Sequence, residues 1–207
     1  MIGNASTLRR LANERKRLNG KIQNGDLNVV ILDDGSDLTV MKVQIKGAEK
    51  SIYEGVVFNL CINFPKEYPN VPPNVFFSTS IWNCNISYET GAVCLETLKS
   101  EWKISVSIET IIFSICSILL YPNPDSAFHD YIGGQYKNNK STYDETARYW
   151  TKFYAGGSGT FPEFEDKVAR LSAEGFTKYK SLEKLSICSW DLDKARSMLI
   201  RELSESL

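Results

Sequence analysis

A glycine-rich break divides the chain into two parts of unequal length. Residues 155–160 read Ala-Gly-Gly-Ser-Gly-Thr, and three glycines within four residues do not hold a helix or a strand. About 155 of the 207 residues precede the break, which is the size of one ordinary domain, and about 45 follow it. We therefore predict one domain over 1–155, a flexible linker over 156–161 and a small second domain over 162–207.

The first domain is predicted to be of the α+β class. Apolar side chains recur at helical spacing over residues 6–23, and the opposite face of this helix is basic. Runs with a β pattern, separated by turn residues, follow at 27–32, 38–45, 56–64 and 74–78. Because short connections join these runs, we expect an antiparallel meander sheet with flanking helices.

Four further segments complete the expected architecture. Residues 82–103 have no periodicity, and an irregular segment of this length in a compact domain is usually functional. Residues 107–120 are apolar nearly all round, which predicts a buried central helix, and 142–154 have the pattern of a last helix. Beyond the glycines, three short helical patterns predict a three-helix domain.

Histidine, cysteine and charge argue against several classes of protein. His129 is the single histidine, and the five cysteines contain no CxxC pair, so we expect no metal ion. A net charge of -1 argues against nucleic acid or a membrane as partner, and no apolar run is long enough to span a membrane. Since no signal-peptide pattern is present, we expect reduced cysteines and a cytoplasmic protein that also enters the nucleus.

The cysteines differ in their predicted surroundings. Cys94 lies in the irregular segment 82–103. Cys61, Cys116 and Cys188 lie in predicted strands or helices, where a cysteine usually packs as a small apolar side chain. From these patterns alone, Cys94 is either a nucleophile or a structural thiol. A protease with a Cys–His pair is disfavoured, because the single histidine is far along the chain.

Five motifs, in this order and at this spacing, resemble the ubiquitin-conjugating enzymes. They are a Pro-rich segment, two stretches around cysteines, a tryptophan and a second Pro-containing turn, at 64–73, 81–86, 91–95, Trp102 and 121–125. Residues 164–199 are similar to a ubiquitin-associated (UBA) domain. The resemblance implies the ubiquitin-conjugating (UBC) fold followed by a three-helix UBA domain.

The resemblance also implies an activity. Ubiquitin would be accepted from an activating enzyme as a thioester on Cys94, then passed to a lysine of a protein substrate or of ubiquitin, building polyubiquitin. Asn85 would stabilise the oxyanion or order the loop, with Asn83, Asp125 and Ser126 in support. No cofactor is expected, since ATP is used by the activating enzyme. Thioester exchange needs a thiolate and no histidine base, which agrees with the composition.

Two binding surfaces follow from the same resemblance. The activating enzyme and a ligase, expected to be of the RING type, would contact Leu8, Arg9, Arg10, Lys16, Asn70, Lys103 and Ile104. Ubiquitin would contact Gly175, Phe176, Met198 and Leu199 of the UBA domain. Glu174 stands where the family usually has methionine, and burying its charge is expected to weaken this contact.

The chain departs from the family at one motif, where His-Pro-Asn is replaced by Asn83-Cys84-Asn85. We expect a less ordered loop, slower transfer to lysine and an oxidation-sensitive thiol at Cys84. Two alternatives stay open: a catalytically weak or silent scaffold that binds ubiquitin, and an enzyme that conjugates another ubiquitin-like modifier.

Overall fold

The computed structural model describes residues 5–205. In this range the chain forms the strands β1 (Val29–Ile31), β2 (Val40–Lys46), β3 (Val57–Asn63) and β4 (Asn74–Phe77). Its helices are α1 (Ala5–Gln23), α2 (Ile108–Leu120), α3 (Asp130–Asn138), α4 (Lys140–Ala155), α5 (Pro162–Ala173), α6 (Lys178–Ile187) and α7 (Leu192–Glu205). Short 3-10 turns cover Glu96–Leu98 and Pro124–Ser126.

The four strands form one antiparallel sheet in the order β1-β2-β3-β4, as the alternating pattern predicts. Val43 of β2 pairs with Leu60 of β3, which in turn pairs with Phe77 of β4. All three side chains are buried in the core. Because side chains alternate between the two faces, a slip of one residue would turn this apolar set to solvent, and this fixes the register.

The first strand is shorter than its predicted run at both ends, and after it a turn side chain makes one of the hydrogen bonds to β2. The Asp33 carboxylate accepts from the backbone N–H groups of Gly35, at 3.1 Å, and Lys42, at 2.8 Å. Gly35 has a φ of 77°, a conformation that glycine adopts without a steric penalty. The Asp-Asp-Gly turn therefore ends β1 and starts the approach to β2.

Helix α2 has one buried and one exposed side, so the prediction of a helix buried all round is wrong. Ile108, Ile111, Ile112 and Ile115 lie in the core and are fully buried. On the opposite side Phe113 is 64% exposed. The physical reason is that apolar composition does not reveal which faces are covered, and in the described part of the chain nothing covers this one.

Helix α3 was not predicted from the sequence. It contains two consecutive glycines, which lower helix propensity and interrupt the apolar pattern. Gly133 packs closely on the preceding turn, since a Cβ atom there would lie 2.8 Å from the Cβ of Ala127 and 3.0 Å from the carbonyl oxygen of Pro124. Helix α4, predicted over 142–154, begins two residues earlier than expected.

The three C-terminal helices pack around their own apolar residues. Phe164 and Leu171 of α5, Leu182 and Leu185 of α6 and Leu199 of α7 are all buried. The side chain of Asp191 accepts from the backbone N–H of Lys194 at 3.1 Å, and so caps α7 as the sequence predicts. Phe164 stacks on Trp190 with ring centroids 3.6 Å apart.

These helices also dock on the first part of the chain through buried hydrogen bonds. The indole N–H of Trp150 in α4 donates to the Ser186 hydroxyl at 2.7 Å, and that of Trp190 donates to the Thr146 hydroxyl at 2.8 Å. Gln135 of α3 accepts from the Trp82 indole at 3.0 Å and donates to the Ser189 hydroxyl at 3.1 Å. The contact is therefore specific, because Trp150, Trp190 and Gln135 each have a hydrogen-bond partner on the other side. The division into 1–155, 156–161 and 162–207 stays a prediction.

Candidate active site around Cys94

The irregular segment is held by a short antiparallel pairing that the sequence does not reveal. Ile86 pairs with Val93, and the backbone N–H of Cys94 donates to the carbonyl of Asn85 at 2.8 Å. Gly91 passes so close to β4 that a Cβ atom would lie 1.9 Å from the carbonyl oxygen of Phe77. Only glycine fits there, and the result is a rigid platform on which Cys94 is half exposed.

Asn85 connects this platform to the turn at 123–126. Its side-chain amide donates to the carbonyls of Asn123, at 2.8 Å, and Ser126, at 3.0 Å, and its oxygen accepts from the Asn123 N–H at 2.7 Å. The residue is buried. Because both amide hydrogens already have partners, this geometry is that of a loop-ordering residue.

Asn83, at the start of the same turn, makes hydrogen bonds of its own. Its amide donates to the hydroxyl of Tyr53 at 3.2 Å and to the carbonyl of Ile118 at 3.3 Å, while its oxygen accepts from the Asn85 N–H at 2.8 Å. The Tyr53 hydroxyl donates to the carbonyl of Trp82 at 2.6 Å, and burial raises the pKa of Tyr53. Asn83 is thus a satisfied buried polar residue that supports Asn85.

Cys84 has the surroundings of a structural thiol. Its side chain is 0% exposed, and burial raises its pKa to about 11. Its carbonyl accepts from the Phe128 N–H at 2.6 Å. A buried, protonated thiol is a poor nucleophile and a poor target for oxidants, so the expectation of an oxidation-sensitive Cys84 is wrong.

The remaining support residues lie on the exposed side of the same cluster. Asp125 is 80% exposed at its side chain and forms an ion pair with Lys137 of α3 at 2.6 Å. Ser126 contributes its carbonyl to Asn85, as described above, and its N–H donates to the carbonyl of Asn123 at 3.2 Å. Lys137 was missed from the sequence because α3 itself was missed.

Lys99 is a second residue that sequence reasoning missed. Its Nζ lies 2.9 Å from the Sγ of Cys94. A separation of five residues matches neither a helical nor a strand repeat, and the two meet only because the 3-10 turn at 96–98 reverses the chain.

Comparison with known proteins identifies the family to which this site belongs. The family model described as "Ubiquitin-conjugating enzyme" matches residues 10–151, which include Asn83, Asn85, Cys94 and Lys99. The chain belongs to the ubiquitin-conjugating enzymes. It is therefore a transferase that carries ubiquitin as a thioester and works with an activating enzyme and ligases, as the resemblance predicts.

Individual relatives agree with the family assignment. The chain is 35% identical over 174 residues to ubiquitin-conjugating enzyme E2 K of Homo sapiens, covering 84% of this chain and 86% of that protein. It is 37% identical over 157 residues to ubiquitin-conjugating enzyme E2-22 kDa of Drosophila melanogaster, covering 76% and 79%. A crystal structure of a putative ubiquitin-conjugating enzyme from Plasmodium yoelii superposes with a TM-score of 0.65 at 34% identity, covering 76% of this chain and 100% of that one. The predicted UBC fold is confirmed.

In this conjugating enzyme the predicted partner surface is built on helix α1. The Arg10 guanidinium donates to the carbonyl of Val106 at 3.0 Å and pairs with Glu14 at 2.6 Å. Glu14 also accepts from the N–H of Ile108 at 2.7 Å, so α1 is joined to the loop that precedes α2. Beside it, Ile104 is 54% exposed, in a cleft that Arg10 lines.

The other residues predicted for this surface are distributed unevenly. Leu8 is half-buried, and Arg9, Asn70 and Lys103 are exposed. Lys16 lies on another side of α1, in a separate cleft with Leu38, whereas Arg17 lines the cleft that contains Ile104. The difference follows from helix geometry, since positions six residues apart do not share a face.

The predicted ubiquitin contacts of the C-terminal helices are partly brought together. Gly175, Phe176 and Leu199 line one apolar cleft of about 260 Å³. Met198 instead points toward Cys188, with its Sδ 3.3 Å from the cysteine Sγ. Leu199 is buried and also packs in the core of the three helices.

Glu174 is exposed in the free chain, so its charge would be buried only under a bound ubiquitin, and the expected weakening of that contact stays a prediction. Its carboxylate forms a bidentate ion pair with the Arg196 guanidinium, in which Nε lies 2.8 Å from Oε2 and Nη2 lies 2.9 Å from Oε1. This hydrogen bonding lowers the pKa of Glu174. The carboxylate is therefore a paired surface group beside the cleft.

Residues 5–205 lack two features that would indicate other functions. They contain no group of three or more His, Cys, Asp or Glu side chains that could hold a metal ion. In the same range no helix is both long and apolar enough to cross a membrane.

Proposed function

We propose that Cys94 is the residue on which this conjugating enzyme carries ubiquitin. The observation that carries the proposal is the contrast among its thiols: Cys94 is half exposed on a rigid platform at the centre of the Asn85 cluster, and Cys84 is fully buried. Of the two thiols in this segment, Cys94 is the one that an activating enzyme can reach.

The proposed reaction has two steps. The Cys94 thiolate attacks the thioester carbonyl carbon of ubiquitin on the activating enzyme, and the activating enzyme's thiolate leaves. A neutral lysine amine then attacks the carbonyl carbon of the new thioester, and negative charge develops on the carbonyl oxygen. The Cys94 thiolate leaves and the nitrogen loses a proton to solvent as the amide forms. Asn83 and Asn85 act by fixing the loop, and Asp125 on the adjoining turn offers a carboxylate to the incoming ammonium.

The thioester is tested by loading the full chain with activating enzyme, ATP and ubiquitin, followed by a non-reducing gel. We expect one thiol-sensitive adduct on wild type and none on Cys94→Ala. Cys188→Ala is the matched control, because Cys188 is also half exposed but lies in the C-terminal helices. An adduct that persists in Cys94→Ala would refute the assignment. Parallel reactions with other ubiquitin-like modifiers would show whether the enzyme loads one of them instead of ubiquitin.

The protein partners are proposed from the α1 surface. Arg10, Arg17 and Ile104 would bind the activating enzyme first and a RING-type ligase afterwards, both through the same cleft. Ile104→Ala removes an apolar contact from this cleft without disturbing the core. We expect it to slow ligase-stimulated transfer, measured with a protein substrate. No resident cofactor is proposed, because ATP is used by the activating enzyme. We also propose that the enzyme works in the cytoplasm and the nucleus.

The C-terminal helices are proposed to act as a UBA domain in chain formation. The cleft lined by Phe176 and Leu199 offers apolar surface for ubiquitin. Because the helices are docked on α3 and α4, a ubiquitin bound there would be presented in a restricted orientation, as polyubiquitin synthesis requires. Titration of labelled chain with ubiquitin, comparing wild type with Phe176→Ala, tests this contact.

A further inference from the structure

The side-chain amide of Gln135 joins the active-site loop to the C-terminal helices. Gln135 lies on α3 and is buried. Its oxygen accepts from the indole N–H of Trp82 at 3.0 Å, and its nitrogen donates to the Ser189 hydroxyl at 3.1 Å and the Ser186 carbonyl at 3.4 Å. Because an indole N–H only donates, the amide oxygen must face Trp82, and the amide nitrogen must face the corner between α6 and α7. One side chain therefore spans the boundary between the two parts of the chain.

The Trp82 end of this bridge leads directly into the turn at 83–85. Trp82 is fully buried, and its carbonyl accepts from the Tyr53 hydroxyl at 2.6 Å. The same hydroxyl accepts from the Asn83 amide at 3.2 Å, and the Asn83 oxygen accepts from the N–H of Asn85 at 2.8 Å. A change in the position of Trp82 is therefore passed through contiguous hydrogen bonds to the asparagine that orders the loop.

The corner at the other end of the bridge has a strained backbone. Ser189 has a φ of 49° and Trp190 has a φ of 67°. Two consecutive residues other than glycine in the left-handed region persist only where surrounding contacts impose this conformation. Some of these contacts come from the first part of the chain, since the Ser189 hydroxyl accepts from Gln135 and the Trp190 indole donates to the Thr146 hydroxyl at 2.8 Å. The corner thus directs two side chains at α3 and α4.

We propose that Gln135 is a positioning residue through which the docked C-terminal helices align the turn at 83–85 for transfer of ubiquitin from Cys94. The proposal rests on the assignment of the thioester to Cys94. Gln135 acts through Trp82 and takes no part in the bond changes. The C-terminal helices therefore complete the active site, in addition to offering a surface to ubiquitin.

The two hydrogen bonds of the amide depend on each other. Without the Ser189 hydroxyl, the nitrogen of Gln135 keeps only the longer contact with the Ser186 carbonyl, and the amide turns toward it. This motion displaces the acceptor of the Trp82 indole. Transfer to lysine is the step that suffers, because a small misalignment of reacting groups lowers a rate without preventing the earlier binding steps.

Two full-chain variants test the bridge from its two ends. Gln135→Met removes both hydrogen bonds and keeps an unbranched side chain of similar volume, whereas Ser189→Ala removes only the partner on the C-terminal side. Each variant is loaded with ubiquitin, and single-turnover discharge of the purified thioester to free lysine is measured. We expect discharge to slow by about tenfold in Gln135→Met and about threefold in Ser189→Ala, with the rate of loading unchanged. The double variant should be no slower than Gln135→Met, because both changes interrupt one path.

Two matched variants control for the loss of a hydrogen bond elsewhere. Ser197→Ala removes a hydroxyl that donates to the Asp193 carbonyl within α7, and Gln44→Met removes an amide that donates to Asn59 in the sheet. Neither variant should slow discharge.

An NMR measurement separates positioning from a general loss of stability. The indole N–H signal of Trp82 should shift in Ser189→Ala, because Gln135 links the two residues, and it should stay in place in Ser197→Ala. Ser189 is exposed, so Ser189→Ala keeps the test available if Gln135→Met does not fold.

Three results would overturn the inference and leave the Cys94 assignment intact. They are normal discharge in Ser189→Ala, an unmoved Trp82 signal in that variant, and equal losses of loading and discharge in a folded Gln135→Met. Absence of any thioester on the wild-type chain would overturn both the assignment and the inference.

Discussion

The two halves of the active-site loop contain similar residues and use them in opposite ways. In the turn at 83–85 a cysteine and two asparagines are buried and fully engaged with the protein. In the segment at 94–99 a cysteine and a lysine face solvent and contact each other. The first half fixes geometry and the second contains the cysteine proposed to react, so residue type alone does not distinguish a structural thiol from an accessible one.

The largest expected effect comes from breaking the link between the halves. Asn85→Ala removes three hydrogen bonds that join the 94 platform to the turn at 123–126. We expect transfer from the loaded enzyme to free lysine to fall by about 10²-fold, because the reacting groups lose their alignment, whereas loading continues. Single-turnover discharge of purified thioester measures this.

The exposed asparagine variant Asn28→Ala is the control for that experiment, because Asn28 lies outside the cluster. Equal loss of loading and discharge in Asn85→Ala would mean that the turn at 83–85 holds the fold rather than the reacting geometry.

The two thiols should differ in reactivity by a factor of comparable size. Burial raises the pKa of Cys84 to about 11, so its thiolate appears only as the pH rises toward that value. At pH 8 we expect iodoacetamide to modify Cys94 at least about a hundredfold faster than Cys84 in the folded chain. Mass spectrometry of digests over time follows both sites. Comparable modification rates would contradict the conclusion that Cys84 is buried and Cys94 is accessible.

Stability should follow the same distinction. Asn83→Ala removes the hydrogen bonds that its side chain makes with the buried Asn85 N–H and the Ile118 carbonyl. We expect the free energy of unfolding to fall by about 2 kcal/mol. Lys99→Ala, in the exposed half, should change it by less than about 0.5 kcal/mol. Urea unfolding of both variants checks the comparison, and similar losses would contradict it.

The smallest effect concerns an exposed turn in the C-terminal helices. Glu174→Met removes a surface ion pair with Arg196 and adds apolar area beside the cleft of Phe176 and Leu199. We expect ubiquitin affinity to rise by about three- to tenfold. Glu163→Gln, on the exposed side of α5, is the charge-matched control for a titration followed by NMR. Weaker binding in Glu174→Met would place the ubiquitin contact elsewhere.

Much of the fold could be predicted because its signals are local. The alternation of apolar and polar residues predicts the strands of the meander, and Asp191 before an apolar helical pattern predicts the start of α7. Helix α3 was not predicted because its two glycines interrupt the apolar pattern of a helix. Gly133 is there for a tertiary contact, since it packs against the turn at 124–127. Helix α2 was misjudged because apolar residues on its outer side, such as Phe113, look the same in sequence as those in the core.

The candidate site divides in the same way. The sequence by itself determined that Cys84 and Cys94 lie in an irregular segment, where the chain breaks at glycines and which family its motifs belong to. Only the tertiary structure decided that Cys84 is sealed, that Lys99 reaches Cys94 and that the last three helices dock through Trp150 and Trp190. The physical reason is that burial and contact arise when distant segments pack together, and no local pattern encodes which side chains then meet.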